Sequence, residues 1–388
     1  MCLVRIRVAV VGVGAMGRGI VQVVQRSEDM EVIAIADKNP KALEKTSRFL
    51  PKDALITTDS MEAIDRKPDV LVEATTSIFE AALLVRQALE KKIHVILMNA
   101  EVDQLYGRLL ARIAEKNGVI LTSDAGDQHG VLLRLIEDIK TMGFEIVIAG
   151  NNKGFLNRYA NPESIKEEAA KRRLTPKQCA AYTDGTKLAI EMALVANALN
   201  LNLLKNGMTG LRTENVYDAL NVFDLEKARE VGGVVDYVLG AKPGGSVFVI
   251  GYSDDPEDRF YMNYYKMGKG PYYLFLRPYH LCHFETPIAI KRVIKYREPI
   301  LTQKKRVLEV VAYAKTDLKP GTKLDGIGGY HLYGLLEKPG NLPIGLSEGA
   351  TLIKEKKKDE PIGWDDVEFP EDDPRIELWE EQKRYEET

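Results

Sequence analysis

The sequence predicts an α/β protein: a parallel sheet with helices on both faces, then an inserted α+β segment and a small C-terminal β-rich unit. Three observations predict it. Over residues 5–150, short runs rich in β-branched residues alternate with amphipathic stretches, the pattern of parallel strands joined by crossover helices. After Gly150 the alternation stops, and a Gly- and aromatic-rich region occupies residues 232–287. From Arg306 onward, short strand-like runs are broken by turn residues at small-β-domain spacing. With 388 residues, 45% of them hydrophobic, the chain can bury a substantial core in two or three domains. The boundaries read as 1–150, 151–305 and 306–388. Beyond Lys354 the chain is acidic and Pro-punctuated, and this tail is expected to hug the surface or stay partly disordered.

Taken in order, the strand candidates of the first region are RVAVVG, EVIAIAD, DVLVEAT, HVILM, VILTS and FEIVIAG. The helical stretches between and after them are 16–25, 77–91, 102–117 and 129–142. Where the first strand meets the first helix, Gly12, Gly14 and Gly17 form G-x-G-x-x-G. The first glycine permits a tight turn, the second lets the backbone approach a pyrophosphate, and the third lets the helix pack on the strand. The following helix start, with Ala15 and Met16, offers amide donors and a favourable dipole for an anion. This makes the sheet Rossmann-type and its expected ligand a nicotinamide dinucleotide, with a flavin or another nucleotide, or a turn without a ligand, as the alternatives. Asp37 ends the second strand, 20 residues after Gly17, where a carboxylate can hold ribose hydroxyls, as for NAD. Lys38 and Lys41 just beyond could receive a 2′-phosphate, so the cofactor is NAD or NADP. In VEATTS, residues Thr75, Thr76 and Ser77 fall at a strand end and are expected on the nicotinamide side, with Ser77 also able to cap the next helix.

The stretch TDGTKLAIEMALVANA, residues 183–198, reads as one helix, apolar over most of its surface. At about 100° per residue, Lys187, Glu191, Leu194 and Ala198 share a face. A buried lysine or carboxylate needs a partner, and the same burial shifts its pKa toward catalytic use. Lys187 is therefore the candidate acid/base, Glu191 its carboxylate partner, and Asp184 either a third catalytic group or a cap for the helix. GNNKGFLNRY, after the last strand of the first region, brings Asn151, Asn152, Lys153, Asn157 and Arg158 as a mouth for a hydroxylated or phosphorylated substrate, with Lys153 and Arg158 as anion clamps and Lys153 also a catalytic candidate. SDAGDQHG places Asp127 and Gln128 between strand and helix, as substrate contacts or helix caps. RPYHLCHFET contributes Arg277, Tyr279, His280, His283 and Glu285, read as substrate contacts or packed residues, with no metal site assigned.

The formal net charge is −3 and the pI near 6.1, with no basic stripe interleaved with aromatics, so nucleic acid is not an expected partner. Three cysteines, Cys2, Cys179 and Cys282, have no C-x-x-C spacing; neither a disulfide framework nor a zinc ribbon is expected. The N-terminus lacks a signal-peptide pattern, and no apolar run reaches the roughly 20 residues that span a bilayer. A cytoplasmic protein acting on a small molecule, without membrane partners and as a homo-oligomer such as a homodimer, is the expectation.

KLAI at residues 187–190, preceded by Asp184 in a glycine-containing turn, resembles the lysine helix of homoserine dehydrogenases. VVGVGAMGRG, SDAGDQHGV, GNNKGFLNRYANPESI, TDGTKLAIEMALVANA and MGKGPYYLFLRPYHLCHFETPIAI together resemble the homoserine dehydrogenase-like oxidoreductases with a C-terminal SAF domain. One branch of these is known as deoxyxylulose phosphate reductoisomerase-like. KTDLKPGTKLDG is similar to the opening of an SAF domain, a small β-clip fold. The resemblance implies a nicotinamide-dependent oxidoreductase with Lys187 as acid/base, an inserted catalytic α+β domain and an SAF-like β domain at the end. The expected activity is the interconversion of carbonyl and alcohol on a small polar metabolite, phosphorylated or not. The reductoisomerase branch implies instead a divalent metal held by carboxylates and a sugar-phosphate substrate. A third reading is a regulator that binds nicotinamide or carbohydrate without turnover.

Overall fold

A computed structural model describes residues 5–386, so Cys2 lies outside the described residues. Strands β1 (Ile6–Val11), β2 (Met30–Ala36), β3 (Leu55–Thr57), β4 (Val70–Glu73), β5 (His94–Leu97) and β6 (Leu121–Ser123) form one sheet in the order β3-β2-β1-β4-β5-β6. Every pairing in it is parallel. Helices α1 (Ala15–Val24), α2 (Pro40–Ser47), α3 (Ser60–Asp65), α4 (Phe79–Glu90) and α5 (Ala100–Asn117) make the crossovers, and α6 (Gln128–Thr141) leads out of β6. Strand order reverses between β1 and β4, which opens a crevice beyond the carboxyl ends of those strands. The core joins Val8, Val10, Val32, Ile35, Val70 and Val72 of the strands to Ile20, Val21 and Val24 of α1.

Two segments from later in the chain complete this unit. Ala289, Ile290 and Ile300 enter the same core, and the amides of Ile300 and Leu301 donate to Thr122 Oγ1 at 2.8 and 3.1 Å. The acidic tail, expected to hug the surface or stay partly disordered, forms a helix over Pro374–Glu386 that docks on α5. Gln382 accepts from the Leu109 amide at 3.1 Å and donates to the Leu105 carbonyl at 2.9 Å. Leu378, Trp379 and Gln382 are buried while the charged residues around them face outward. So few anchoring residues among so many charges leave a weak periodic signal.

The chain divides into two compact units, one running through Gly130 with Leu281–Gln303 and the segment from Pro374, the other comprising Val131–His280 and Lys304–Asp373. The second unit is built on a mixed sheet of β7 (Glu145–Lys153), β8 (Leu211–Arg212), β9 (Val234–Leu239), β10 (Val247–Tyr252) and β11 (Tyr272–Arg277), ordered β11-β10-β7-β9-β8. FEIVIAG, expected to close the first sheet, is the central strand of this one, parallel to β9 and antiparallel to β10. A central strand is buried on both faces whichever sheet owns it, so its apolar run did not reveal its sheet. The sixth strand of the first sheet is β3, three half-exposed residues at the edge, too short to show a period.

Helices α7 (Lys166–Arg172), α8 (Pro176–Thr183) and α9 (Thr186–Leu199) follow β7. Gly185, at φ 92°, breaks the expected single helix between α8 and α9. Toward the C-terminus, β12 (Glu309–Ala314) and β13 (Leu332–Glu337) pair antiparallel from Glu309–Glu337 to Ala314–Leu332. No helix among the described residues is long and apolar enough to cross a membrane.

Candidate active site

The glycine turn has the shape a dinucleotide requires. Gly12 lies at φ 86°, and a Cβ there would meet the Ala74 carbonyl and Thr75 amide at 2.6 Å. A Cβ on Gly17 would stand 1.8 Å from the Gly12 carbonyl oxygen. Gly14 differs: a Cβ would meet nothing within 4 Å, so the space in front of the turn is open. Gly14 is also the N-cap of α1 and provides no side-chain cap, which leaves first-turn amides to an anion. Ala15 and Met16 open the helix there. Asp37 stands directly after β2, where Oδ2 accepts from the Val13 amide and Oδ1 from the Asn39 amide, both at 2.8 Å. Each oxygen keeps a lone pair for a ribose hydroxyl. Lys38 and Lys41 beside it are exposed. These residues fit a bound nicotinamide dinucleotide.

At the end of β4, Thr75 donates its hydroxyl to Glu73 Oε1 at 2.5 Å and its amide to the same oxygen at 2.8 Å. Asn99 donates to the carbonyls of Thr75 and Ser77 at 3.1 and 2.8 Å, fixing the turn that carries Thr76. Ser77 does not cap the next helix: the N-cap of α4 is Ile78, without a side-chain bond. Glu73 is fully buried, Oε2 has no partner among the described residues, and burial pushes its pKa up to about 8. Asp124, after β6, is also fully buried; desolvation raises it to about 7, opposed by the Gly126 amide and Thr286. Neither carboxyl was singled out in the sequence. The signal for Glu73 was its place as the last residue of an apolar strand at the switch point. Asp127 accepts from the Gln128 amide at 3.0 Å at the start of α6, the helix-entry role considered for it. His283 packs against α1, where only the absence of a side chain at Gly19 admits its ring; burial lowers its pKa.

The second unit gathers the polar group around α9. Lys187 and Glu191, one turn apart, are both buried. Glu191 Oε2 accepts from Asn151 Nδ2 at 3.2 Å and from Lys153 Nζ at 3.3 Å. Asn151, Asn152 and Lys153 are not a loop, as expected, but the last three residues of β7, so a rigid central strand aims them. Asn151 Oδ1 is buried without a partner among the described residues, an acceptor free for a substrate hydroxyl. Asn152 turns to the neighbouring loop, with Nδ2 near the carbonyls of Ala241 at 3.0 Å and Pro243 at 2.7 Å.

Other expected residues fall elsewhere in this unit. Asp184 Oδ1 accepts from the Thr186 amide at 2.9 Å, and Oδ2 pairs with Lys315 Nζ at 2.8 Å. Burial raises the Asp184 pKa and Lys315 opposes the rise. Arg158 is exposed and lies over the Tyr333 ring at 5.2 Å, and Arg277 lies over Tyr279 at 5.0 Å. His280 Nδ1 contacts the Gly245 carbonyl at 2.7 Å; that bond puts the proton on Nδ1 and leaves Nε2 as an acceptor.

Known proteins match both parts of the chain. Residues 12–123 match the family described as homoserine dehydrogenase, NAD binding domain, and residues 126–286 match oxidoreductase DRL, catalytic domain. Among characterised relatives, homoserine dehydrogenase of Bacillus subtilis is 29% identical over 182 residues, 43% of this chain and 41% of that protein. Homoserine dehydrogenase of Synechocystis is 27% identical over 132 residues, 32% of this chain and 30% of that protein. The chain thus spans less than half the length of either relative. A solved hyperthermophilic archaeal homoserine dehydrogenase in complex with NADPH superposes with a TM-score of 0.47 at 15% identity, covering 77% of this chain and all of that one. The chain joins a homoserine dehydrogenase-like NAD-binding domain, for which NAD or NADP is the cofactor, to an oxidoreductase catalytic domain.

Proposed function

We propose that the protein is an NAD(P)-dependent oxidoreductase that interconverts a carbonyl and an alcohol on a small polar metabolite, with Lys187 as the acid/base. The observation that carries the reading is the burial of Lys187 and Glu191 one turn apart on α9, with Lys153 and Asn151 bonded to Glu191. A dinucleotide held by the Gly12–Gly17 turn and Asp37 would supply the nicotinamide that accepts or gives up a hydride. In oxidation the neutral Lys187 amine takes the hydroxyl proton as the carbinol hydrogen leaves with its electron pair. In reduction the ammonium returns that proton to the oxygen. Glu191 holds Lys153 as a fixed cation, and Asn151 Oδ1 takes a substrate hydroxyl. Positioned acid/base groups of this kind contribute about 10²–10⁴-fold.

L-Homoserine is the first alcohol to test, because the homoserine dehydrogenases above share the sequence likeness. The experiment follows NAD⁺ and NADP⁺ reduction, separately, over L-homoserine and a panel of sugar acids, branched sugars and sugar phosphates. Tight dinucleotide binding with no hydride exchange on any of them points to a regulator instead. The match of residues 126–286 to the DRL catalytic domain favours a second reading, reductive isomerisation of a sugar phosphate with a divalent metal. That reading requires activity lost to a chelator and restored by Mg²⁺ or Mn²⁺.

A further inference from the structure

We propose that Lys315 is a positioning residue for the lysine helix, and that the β12–β13 ribbon is through it a working part of the catalytic unit. The proposal rests on the reading of Lys187 as acid/base. Lys315 directly follows β12, and its ammonium is saturated: Nζ donates to the carbonyls of Ala160 at 2.6 Å and Gly329 at 2.8 Å and pairs with Asp184 Oδ2 at 2.8 Å. The three acceptors come from three places, the segment after β7, the turn before β13 and the junction of α8 with α9. The Lys315 and Asp184 side chains are 3% and 0% exposed. Asp184 passes the hold to α9 by accepting from the Thr186 amide, the helix's first residue.

Two further contacts act on the same helix. Thr186 Oγ1 accepts from the Gly334 amide of β13 at 2.7 Å. At the far end, Asn197 Oδ1 accepts from the amides of Val307 and Leu308, both at 2.9 Å, and Nδ2 donates to the Leu308 carbonyl at 3.1 Å. Four residues of α9 carry polar side chains: Thr186, Lys187, Glu191 and Asn197. The outer two are engaged by the C-terminal segment, and the inner two, Lys187 and Glu191, stand between them. The division has a physical reason. A helix that is apolar all round has no polar face to fix its rotation in a core, and apolar contact is non-directional. A slip of one residue would turn Lys187 by about 100° and move it by about 1.5 Å. Directional bonds at both ends remove that freedom. A buried ion pair is weak evidence for stability and better attested as a device for register, which is the role this geometry gives it.

The test reads Lys187 directly. Acetic anhydride labelling across pH, followed by mass spectrometry, gives the reactivity and titration midpoint of each lysine, with exposed Lys38 as internal reference. Wild type is compared with Lys315→Met and with Asp184→Asn, which keeps side-chain volume and the acceptor for Thr186 but loses the full ion pair. The expected result is a change of at least about tenfold in Lys187 labelling at neutral pH, with a displaced midpoint, in Lys315→Met and a smaller change of the same sign in Asp184→Asn. Lys38 labelling and NADPH affinity should stay within twofold of wild type. If Lys315→Met does not fold, Asp184→Asn carries the test. Folded variants whose Lys187 labels and titrates like wild type overturn the proposal. Undiminished turnover in Lys187→Ala would instead overturn the acid/base reading, leaving the labelling result intact.

Discussion

Two charges, Lys187 and Glu191, lie in the first turns of the otherwise apolar α9, and a third, Asp184, stands just before it at the end of α8; their partners separate them. Asp184 is committed to Lys315 and to the Thr186 amide. Glu191 gathers Asn151 and Lys153. Lys187, on the same helix as Glu191, is buried between those two positions in the chain. Glu191→Gln keeps the volume and an acceptor but gives up the charge that holds Lys153. It is expected to lower kcat by about 10- to 100-fold, below the full effect of an acid/base group, with dinucleotide affinity unchanged; steady-state kinetics beside NADPH fluorescence titration checks both. That Lys187 and Glu191 lie one turn apart on one helix was legible in the sequence because helical spacing is local. Lys315 and Glu73 were not, because each owes its importance to its surroundings: Lys315 to acceptors distant in sequence, Glu73 to the dry end of a strand. Nothing in the residues next to Lys315 distinguishes it from a surface lysine.

The turn between β1 and α1 and the ends of α9 carry the proposed cofactor site and acid/base group. Gly17→Ala would drive a Cβ to within 1.8 Å of the Gly12 carbonyl, so the turn must open. Dinucleotide affinity is expected to fall by at least tenfold while the circular dichroism spectrum is retained; unchanged NADPH binding in that variant would show that the turn does not hold the cofactor. At α9, breaking the buried pair with Lys315→Ala leaves Asp184 uncompensated, which typically costs about 3–5 kcal/mol. Chemical denaturation should show a loss of that order, larger than for Lys315→Met, whose side chain refills the space. The first sheet and its helices were legible as elements because period-2 and period-3.6 patterns are local. Which sheet claims β7 was not, since a strand buried on both faces carries no mark of its neighbours. The C-terminal helix was hidden for a different reason: three anchoring residues, Leu378, Trp379 and Gln382, suffice to dock it.

Across the whole molecule, buried carboxyls give stability a pH dependence of definite sign. Burial raises Asp103 to about 6, Asp124 to about 7 and Glu73 to about 8, from ordinary values of 3.8, 3.8 and 4.5. A raised folded-state pKa means the unfolded chain releases its proton first. The stabilisation is therefore complete below about pH 4 and is lost progressively as pH rises toward 8. For these three groups the melting temperature is expected to fall by at least a few °C between pH 5 and pH 9, and Glu73→Gln should flatten the alkaline part of the curve; a Glu73→Gln profile identical to wild type would mean that Glu73 is already ionised at neutral pH. The chemistry proposed is a dinucleotide-dependent hydride transfer that runs through Lys187. Its most direct test compares wild type with Lys187→Ala for NAD(P)⁺ reduction by L-homoserine and the wider alcohol panel, with dinucleotide affinity measured on both. Wild type is expected to turn over at least one of these alcohols, and Lys187→Ala to bind the dinucleotide within about twofold but to lose about 10²–10⁴ in kcat. An inert wild type, or a variant with undiminished kcat, would contradict this chemistry.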